Sequence, residues 1–172
     1  MDIRQLHKIR IKNDYEQMCR LKTSPMIDWV AVKGTAPYIE EYLLTINVRT
    51  YKAQNVTMNQ VKVRIKLDPT YPDVAPVTKM EGTLVYHPHW FTDGRFCCGT
   101  YVKTQQLGDY VVAMIQSLQY DHALINPRSP ANYDAMKWYL DNKNNRTLFP
   151  CDKQVPPNPN GSNIGGFTVI KR

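Results

Sequence analysis

The amino-acid sequence predicts an α+β domain with an N-terminal helix, a four-stranded antiparallel meander, a long loop and two following helices. Three observations support this fold class. Apolar residues recur at helical spacing near the N-terminus and again across 111–118. Apolar and polar residues alternate strictly along 61–67, which is typical of a half-buried strand. Residues 84–108 show no periodicity, and long irregular stretches inside a compact domain are usually functional.

The first element is predicted to be an amphipathic helix that ends before Pro25, because proline cannot continue a helix. The basic residues Arg4, Lys8 and Lys12 fall at i, i+4 and i+8 and would share one ridge of this helix. The apolar stripe expected to pack on the rest of the domain consists of Ile11, Tyr15, Met18 and Leu21.

Strand-like runs follow the first helix at 27–33, 42–51, 61–67 and 77–83. The third run has the cleanest alternation, and the face that we expect to be buried carries Val61, Val63, Ile65 and Leu67. Such alternation indicates a sheet with one buried and one solvated face, which is a property of antiparallel sheets.

Two helices are predicted after the long loop. Helical spacing marks the buried side of the first, at Val111, Met114, Ile115 and Leu118. In the second, Ser129 is the expected N-cap and Pro130 the first helical residue. The buried side of this last helix is expected to carry Tyr133, Met136 and Leu140.

Length and composition fit one globular domain with a tail. The chain has 172 residues, 42% hydrophobic and 22% charged, which excludes wholesale disorder. The Pro-, Asn- and Gly-rich composition from about Phe149 onward separates a domain at 1–145 from a C-terminal tail at 146–172. No window resembles a membrane span, and the charged N-terminus does not fit a signal peptide. Four cysteines without framework spacing indicate free thiols, so we expect a cytoplasmic protein.

The net charge of +7 indicates acidic partners. A nucleic-acid-binding domain would interleave aromatic and basic residues on one surface or carry a recognisable module, and the sequence shows neither. We therefore expect no nucleic-acid partner, and a basic nucleic-acid-binding domain stays an alternative hypothesis.

The segment 86–98 allows three interpretations. Its histidines and cysteines could simply be packed or solvated. They could bind a metal, but the adjacent pair Cys97 and Cys98 is poorly suited to one tetrahedral zinc, and the usual C-x₂-C spacing is absent. A cysteine on a loop near histidine and backbone amides could also act as a nucleophile through its thiolate. The residues alone do not decide among these three interpretations.

Motifs in and around this segment occur in a characteristic order. The segment 71–76 reads Tyr-Pro-Asp-Val-Ala-Pro, the turn 87–89 reads His-Pro-His, and Cys97 follows the last histidine of that turn by eight residues. Farther on, the segment 126–130 reads Asn-Pro-Arg-Ser-Pro. These motifs resemble the ubiquitin-conjugating (E2) family, with its Tyr-Pro-Phe segment, His-Pro-Asn turn, active-site cysteine and Asn-Pro-Asp-Asp-Pro loop. The resemblance covers about 140 residues in element order and implies the UBC-like fold.

The resemblance also implies roles for individual residues. Cys97 would accept ubiquitin or a ubiquitin-like protein as a thioester and pass it to an amine on a target. His89, in place of the family's Asn, would donate a hydrogen bond to the oxyanion or merely pack under the loop. His87 would hold the turn. The residues expected in the active-site loop or gate are therefore His87, Asp121, Asn126 and Ser129.

The implied partners are an E1-like activating enzyme, docked on Arg4, Lys8 and Lys12, the modifier and a target protein. No cofactor, metal or membrane is expected. The segment 104–108 lacks the family's Trp-Ser-Pro ligase contact, so a RING ligase partner is doubtful. A sequence that lacks such E2 motifs resembles the E2-like proteins of bacterial antiviral conjugation systems. A catalytically inactive E2 variant that only binds the modifier remains the main alternative.

Overall fold

The computed structural model describes residues 2–152 and 155–156 and consists of three α-helices, one 3₁₀ helix and six strands within those residues. In chain order they are α1 (Ile3–Leu21), β1 (Ile27–Thr35), β2 (Tyr38–Ile46), β3 (Thr50–Ala53), β4 (Val56–Met58), β5 (Val61–Lys66), β6 (Val77–Glu81), α2 (Leu107–Leu118), the 3₁₀ helix (His122–Leu124) and α3 (Tyr133–Asn142). None of the described helices is long and apolar enough to cross a membrane.

The main sheet has four antiparallel strands in the order β1-β2-β5-β6, which confirms the predicted sheet. Leu44 pairs with Val63 and Val63 with Met80, and all three side chains are buried on the face toward the core. The strands β3 and β4 form a separate hairpin between β2 and β5.

The second predicted strand, 42–51, is two strands in the structure. The strand β2 already begins at Tyr38 and ends at Ile46. β2 ends at Ile46 because both of its partner strands begin opposite this residue, β1 at Ile27 and β5 at Val61. Apolar alternation continues through this break, so the pattern alone could not locate it.

The helix α1 packs on the sheet and on α2 through the predicted stripe, with three of its four residues buried and Tyr15 half-buried. A buried carboxylate on the same helix, Asp14, accepts from Arg10 Nε at 2.8 Å, from the Tyr71 hydroxyl at 2.7 Å and from the Leu107 N–H at 2.9 Å. Gln17 accepts from the N–H of Gly108 at 2.9 Å. Side chains of α1 thus satisfy the first N–H groups of α2, which otherwise lack partners in a helix.

The last helix differs from its predicted boundary and buried face. It begins at Tyr133, and its N-cap is Asn132, whose side chain accepts from the N–H of Ala135 at 3.0 Å, so Ser129 is not the cap. Tyr133 is 77% exposed and Leu140 38%, whereas Met136 is buried as predicted. The buried residues of this helix are Ala135, Met136, Trp138 and Tyr139.

A second core lies beside the main one and extends the packed body past residue 145. Its buried members are Tyr51, Tyr120, Ile125, Met136, Trp138, Tyr139 and Phe149. Phe149 packs against several aromatic rings here, and the N–H of Cys151 donates to the Gln119 carbonyl at 2.9 Å. Leu148, Phe149 and Cys151 therefore pack in or against this core, and most of the predicted tail, 153–154 and 157–172, lies outside the described residues.

Candidate active site

The loop between β6 and α2 folds back on itself between residues 87 and 97. Gly94 has a φ of 88°, which favours glycine, and its N–H donates to the Phe91 carbonyl at 2.9 Å. The N–H of Phe96 donates to the Thr78 carbonyl at 3.0 Å, so the returning segment lies along β6. As a result, the N–H of Cys97 donates to the carbonyl of His89 at 2.8 Å.

His87 fixes the start of this loop to the helix α2. Its ring Nε2 lies 2.7 Å from the Ser117 carbonyl, and its Nδ1 accepts the N–H of His89 at 3.0 Å. The ring must therefore be neutral, with its proton on Nε2. Complete burial, together with the nearby His89, lowers the pKa of His87 to about 3. This arrangement agrees with the expectation that His87 holds the turn.

His89 connects the loop to the segment that precedes α3. Its Nε2 accepts the backbone N–H of Asn126 at 2.9 Å, so a neutral ring carries its proton on Nδ1. Burial lowers the pKa of His89 to about 4, which keeps the ring neutral near pH 7. Any hydrogen bond that this ring donates must therefore come from Nδ1, since Nε2 already acts as an acceptor.

The segment 126–132, which we call the gate loop, is bound to the His-Pro-His turn at three points. Besides the His89–Asn126 bond, the carbonyl of Pro88 accepts the N–H groups of Ala131 at 2.8 Å and Asn132 at 3.1 Å. The helix α3 begins later than predicted because the backbone of Asn132 is extended, with a φ of −130° and a ψ of 105°, and its side chain caps the helix.

The other predicted site residues have different environments. Ser129 lies exposed on the gate loop. Asp121 caps the 3₁₀ helix by accepting the N–H of Ala123 at 3.0 Å and makes no hydrogen bond to Cys97 or His89. Arg4, Lys8 and Lys12 are exposed on α1, which contributes no residue to the hydrogen bonds around Cys97.

The two adjacent cysteines face different surroundings. Both cysteines are half-buried, but Cys98 packs against the main core together with Phe96 and Tyr101, whereas Cys97 belongs to neither core. Burial raises the pKa of the Cys98 thiol, and the neighbouring Cys97 raises it further. No described group of three or more His, Cys, Asp and Glu side chains could hold a metal ion.

Tyr120 supports the site and was not singled out by the sequence. It follows the C-cap of α2 with a φ of 61°, its ring centroid lies 4.5 Å from that of His87, and its hydroxyl donates to the Tyr86 carbonyl. The buried Tyr120 ring therefore packs directly against the His87 ring. Only the aromatic content of the region could have hinted at this role, because no motif includes Tyr120.

Comparison with known proteins supports the fold. No protein-family profile matches the chain, and no curated protein matches it by sequence. Among solved structures, S. cerevisiae Ubc12 is similar with a TM-score of 0.53 and 19% sequence identity. The match covers 78% of this chain and 71% of the yeast protein. The fold is therefore UBC-like, as the E2 resemblance implied.

Proposed function

We propose that this protein is an E2-like conjugating enzyme that carries ubiquitin or a ubiquitin-like protein as a thioester on Cys97. The observation that carries the proposal is the position of this thiol within a UBC-like fold. Cys97 is half-exposed on a loop whose backbone is bound to His89, and the same histidine binds the gate loop. A nucleophile fixed between two ordered segments suits a reaction that depends on positioning.

Charging would be a thiol–thioester exchange, in which the modifier moves from the activating enzyme to Cys97. The Cys97 thiolate attacks the thioester carbonyl carbon on the activating enzyme, a new carbon–sulfur bond forms, and the activating enzyme's thiolate leaves. In the second step a target amine attacks that carbonyl, loses its proton, and the Cys97 thiolate leaves as the amide forms. A thioester is already activated, so the enzyme has to orient the amine and stabilise the tetrahedral oxyanion.

His89 is proposed to serve this second step. Its backbone carbonyl accepts the N–H of Cys97, and its ring Nε2 accepts the N–H of Asn126. His89 thus fixes the gate loop relative to the Cys97 loop. The Nδ1–H remains as the ring's donor toward an oxyanion. Ser129 and Asn126 lie on the gate loop and would border the approach of the amine, with Asp121 as a further candidate beside the 3₁₀ helix.

The activating enzyme is proposed to dock on α1. Arg4, Lys8 and Lys12 are exposed there, whereas Arg10 is occupied by Asp14 and Tyr71. The placement among bacterial antiviral conjugation systems rests on the departures of the sequence from the E2 motifs. Genes for an adenylating enzyme and a small β-grasp protein beside this one would support it.

A charging assay tests the proposal. The protein is incubated with an E1-like adenylating enzyme, ATP and a ubiquitin-like β-grasp protein, and the products are separated with and without a thiol reductant. We expect a reductant-sensitive adduct that disappears in Cys97→Ala. A wild-type protein that binds the modifier but forms no adduct would support an inactive E2 variant instead.

A further inference from the structure

The chain between Cys97 and α2 contains neither a helix nor a strand. We call residues 98–106 the linking segment, since they connect the candidate nucleophile to Leu107, the first residue of α2. Cys98 and Tyr101 of this segment pack against the main core, but most of its other residues are exposed. An exposed segment of this kind keeps a fixed position only where other parts of the structure bind it.

Arg10 of α1 binds the backbone of the linking segment. Its Nη1 donates to the Lys103 carbonyl at 3.0 Å, and its Nη2 donates to the Gln105 carbonyl. An ion pair between Lys103 and Asp73 at 3.5 Å also reaches the segment, but both side chains are exposed, so this pair should contribute little. The bonds from Arg10 are therefore the stronger of these two attachments.

The guanidinium group of Arg10 is itself fixed in position. Its Nε donates to Asp14 at 2.8 Å, and its Nη2 donates to the Tyr71 hydroxyl at 3.0 Å, which in turn donates to Asp14 at 2.7 Å. The Cζ atom also lies 5.2 Å from the centroid of the Tyr71 ring. A planar group already held by a buried carboxylate and an aromatic ring loses little further side-chain freedom when it binds the segment.

Arg10 lies on a different face of α1 from the exposed basic ridge. Residues two positions apart on a helix do not share a face, so Arg10 contacts the linking segment while Lys8 and Lys12 stay exposed. The Arg10 side chain is only 16% exposed. Its role therefore differs from the docking role proposed for the ridge.

The bonds from Arg10 should affect the position of the linking segment more than the stability of the fold. Because Lys103 is exposed, water can replace Arg10 at this carbonyl, and such an exchange changes the free energy of folding little. Water, unlike Arg10, does not connect the segment to α1. Loss of these bonds should therefore loosen the segment and leave the core packed.

We infer that Arg10 is a positioning residue for transfer from Cys97. The inference rests on the function proposed above. On one side, Cys97 is fixed by the bond from its N–H to the His89 carbonyl at 2.8 Å, and on the other side the chain continues into the linking segment. Arg10 holds this second side, so that the thioester carbonyl keeps its orientation toward the incoming amine. Such orientation governs the rate, because a misplacement of about 1 Å can cost about 100-fold.

Arg10→Lys tests the inference, and Arg64→Lys is the matched control. Lysine keeps the positive charge beside Asp14, but its single ammonium group cannot reproduce the fork that binds both carbonyls. Arg64 of β5 also joins neighbouring elements, since it donates to Glu41 of β2 at 2.7 Å and to Glu81 of β6. Each variant therefore exchanges a guanidinium group that has several acceptors for an ammonium group.

Nuclear magnetic resonance relaxation of the uncharged protein measures the attachment without any partner. The order parameters of the backbone amides in the linking segment should fall from about 0.85 in the wild type to below about 0.6 in Arg10→Lys. They should stay unchanged in Arg64→Lys. Equal order parameters in all three proteins would overturn the inference, because Arg10 would then not hold the segment.

Discharge of the charged protein to free lysine measures the consequence for transfer. ATP is removed after charging, so that the activating enzyme does not contribute to the measured rate. We expect Arg10→Lys to lower the rate at saturating lysine on the order of tenfold and to leave the half-saturating lysine concentration unchanged, because the amine meets a misplaced carbonyl. Arg64→Lys should discharge like the wild type.

A third variant separates positioning from stability. Ile46→Val shortens a buried side chain of the main core and changes nothing in the linking segment. It should melt at a lower temperature than the wild type and still discharge at the wild-type rate. Slowing of discharge in proportion to the loss of melting temperature across all three variants would give Arg10 a structural role only and overturn the inference.

The outcomes also separate this inference from the proposed function. A wild-type protein that forms no thioester overturns the proposed function, whatever the relaxation data show. An Arg10→Lys variant that charges and discharges at wild-type rates overturns the Arg10 inference alone.

Discussion

The backbone N–H of Cys97 donates to the carbonyl of His89 at 2.8 Å, and the ring of the same histidine binds the backbone of the gate loop. The first bond survives any substitution of the His89 side chain, because it involves only the backbone. The second depends on a side-chain acceptor at the position of Nε2. Substitution of the His89 side chain should therefore change the position of the gate loop and leave the backbone of the Cys97 loop unchanged.

His89→Ala should leave charging of Cys97 nearly unchanged and slow the transfer to free lysine. The loss of the Nε2 acceptor releases Asn126, and either this misplacement or the loss of the Nδ1–H donor would cost about 100-fold in rate. His89→Asn should recover much of the transfer rate, because its side chain again offers an acceptor and a donor. Single-turnover discharge of the charged protein measures both. Equal rates in the wild type and the Ala variant would reduce His89 to a packing role.

The buried histidines make stability depend on pH. Their folded pKa values, about 3 for His87 and about 4 for His89, lie below the value of about 6.5 expected in the unfolded chain. Between pH 6.5 and 4 the unfolded state binds more protons, so stability is greatest above pH 6.5 and decreases as the pH falls. Each histidine contributes a slope of up to about 1.4 kcal/mol per pH unit in this window.

Urea unfolding at pH 7, 6 and 5 measures this slope. His89→Asn should flatten it, because the variant removes one of the two depressed histidines. A slope that is identical in the wild type and the His89 variant would show that other groups govern the pH dependence.

The sequence predicted the helices and the four strands of the main sheet because local patterns record which face is buried, but it did not predict the separate hairpin of β3 and β4. Helical spacing identified the buried stripe of α1, and alternation identified the inward side of β5. The errors lie at the boundaries of elements. β2 ends at Ile46, where both of its partner strands begin, and α3 begins after Asn132, whose backbone is extended and whose side chain caps the helix. The partner strands lie elsewhere in the chain, so no local pattern contains the first of these boundaries.

The candidate site was likewise predicted only in part. The spacing of motifs indicated Cys97 and His87, and the environment of Cys98 at the core agrees with the interpretation that one of the two thiols turns inward. The acceptor role of His89 Nε2 was not foreseen, because it depends on where Asn126 lies after folding. The expectation for His89 considered only donation to an oxyanion, and the structure adds a positioning role.

Reversing the charges of Arg4, Lys8 and Lys12 to Glu should strongly slow charging by the activating enzyme. The three side chains are exposed on α1, so thermal stability should change little. Arg10 must be left intact, because it holds Asp14 and Tyr71.

The matched control for this charge reversal changes Lys52, Lys62 and Lys66 to Glu, which gives the same net charge at exposed positions of β3 and β5. Initial rates of adduct formation at physiological salt are compared. Slowing by the same factor in both triple variants would indicate a general charge effect and contradict docking on α1.

Asp14→Ala should destabilise the protein by about 3 kcal/mol, because it leaves Arg10, Tyr71 and the N–H of Leu107 without their shared acceptor. Asp141→Ala is the control, since its ion pair with Lys137 has the same i,i+4 spacing but is exposed and should contribute little to stability. Urea unfolding of both variants gives the comparison. Similar small losses in both would show that the buried carboxylate does not fasten α1 to α2.

Cys98→Ala should still form the thioester, whereas Cys97→Ala should not. Cys98 packs against the core and its thiol pKa is raised by burial, so its thiolate is disfavoured and its side chain behaves as a small hydrophobe. Its removal should cost about 1 kcal/mol of stability through a small cavity.

Cys97→Ser should form a slower oxyester that survives thiol reductant, which would identify the position of the bond. Charging is followed on non-reducing gels, and unfolding in urea reports the stability of each variant. An adduct that persists in Cys97→Ala and disappears in Cys98→Ala would show that the inward-facing thiol is the nucleophile and would contradict the assignment.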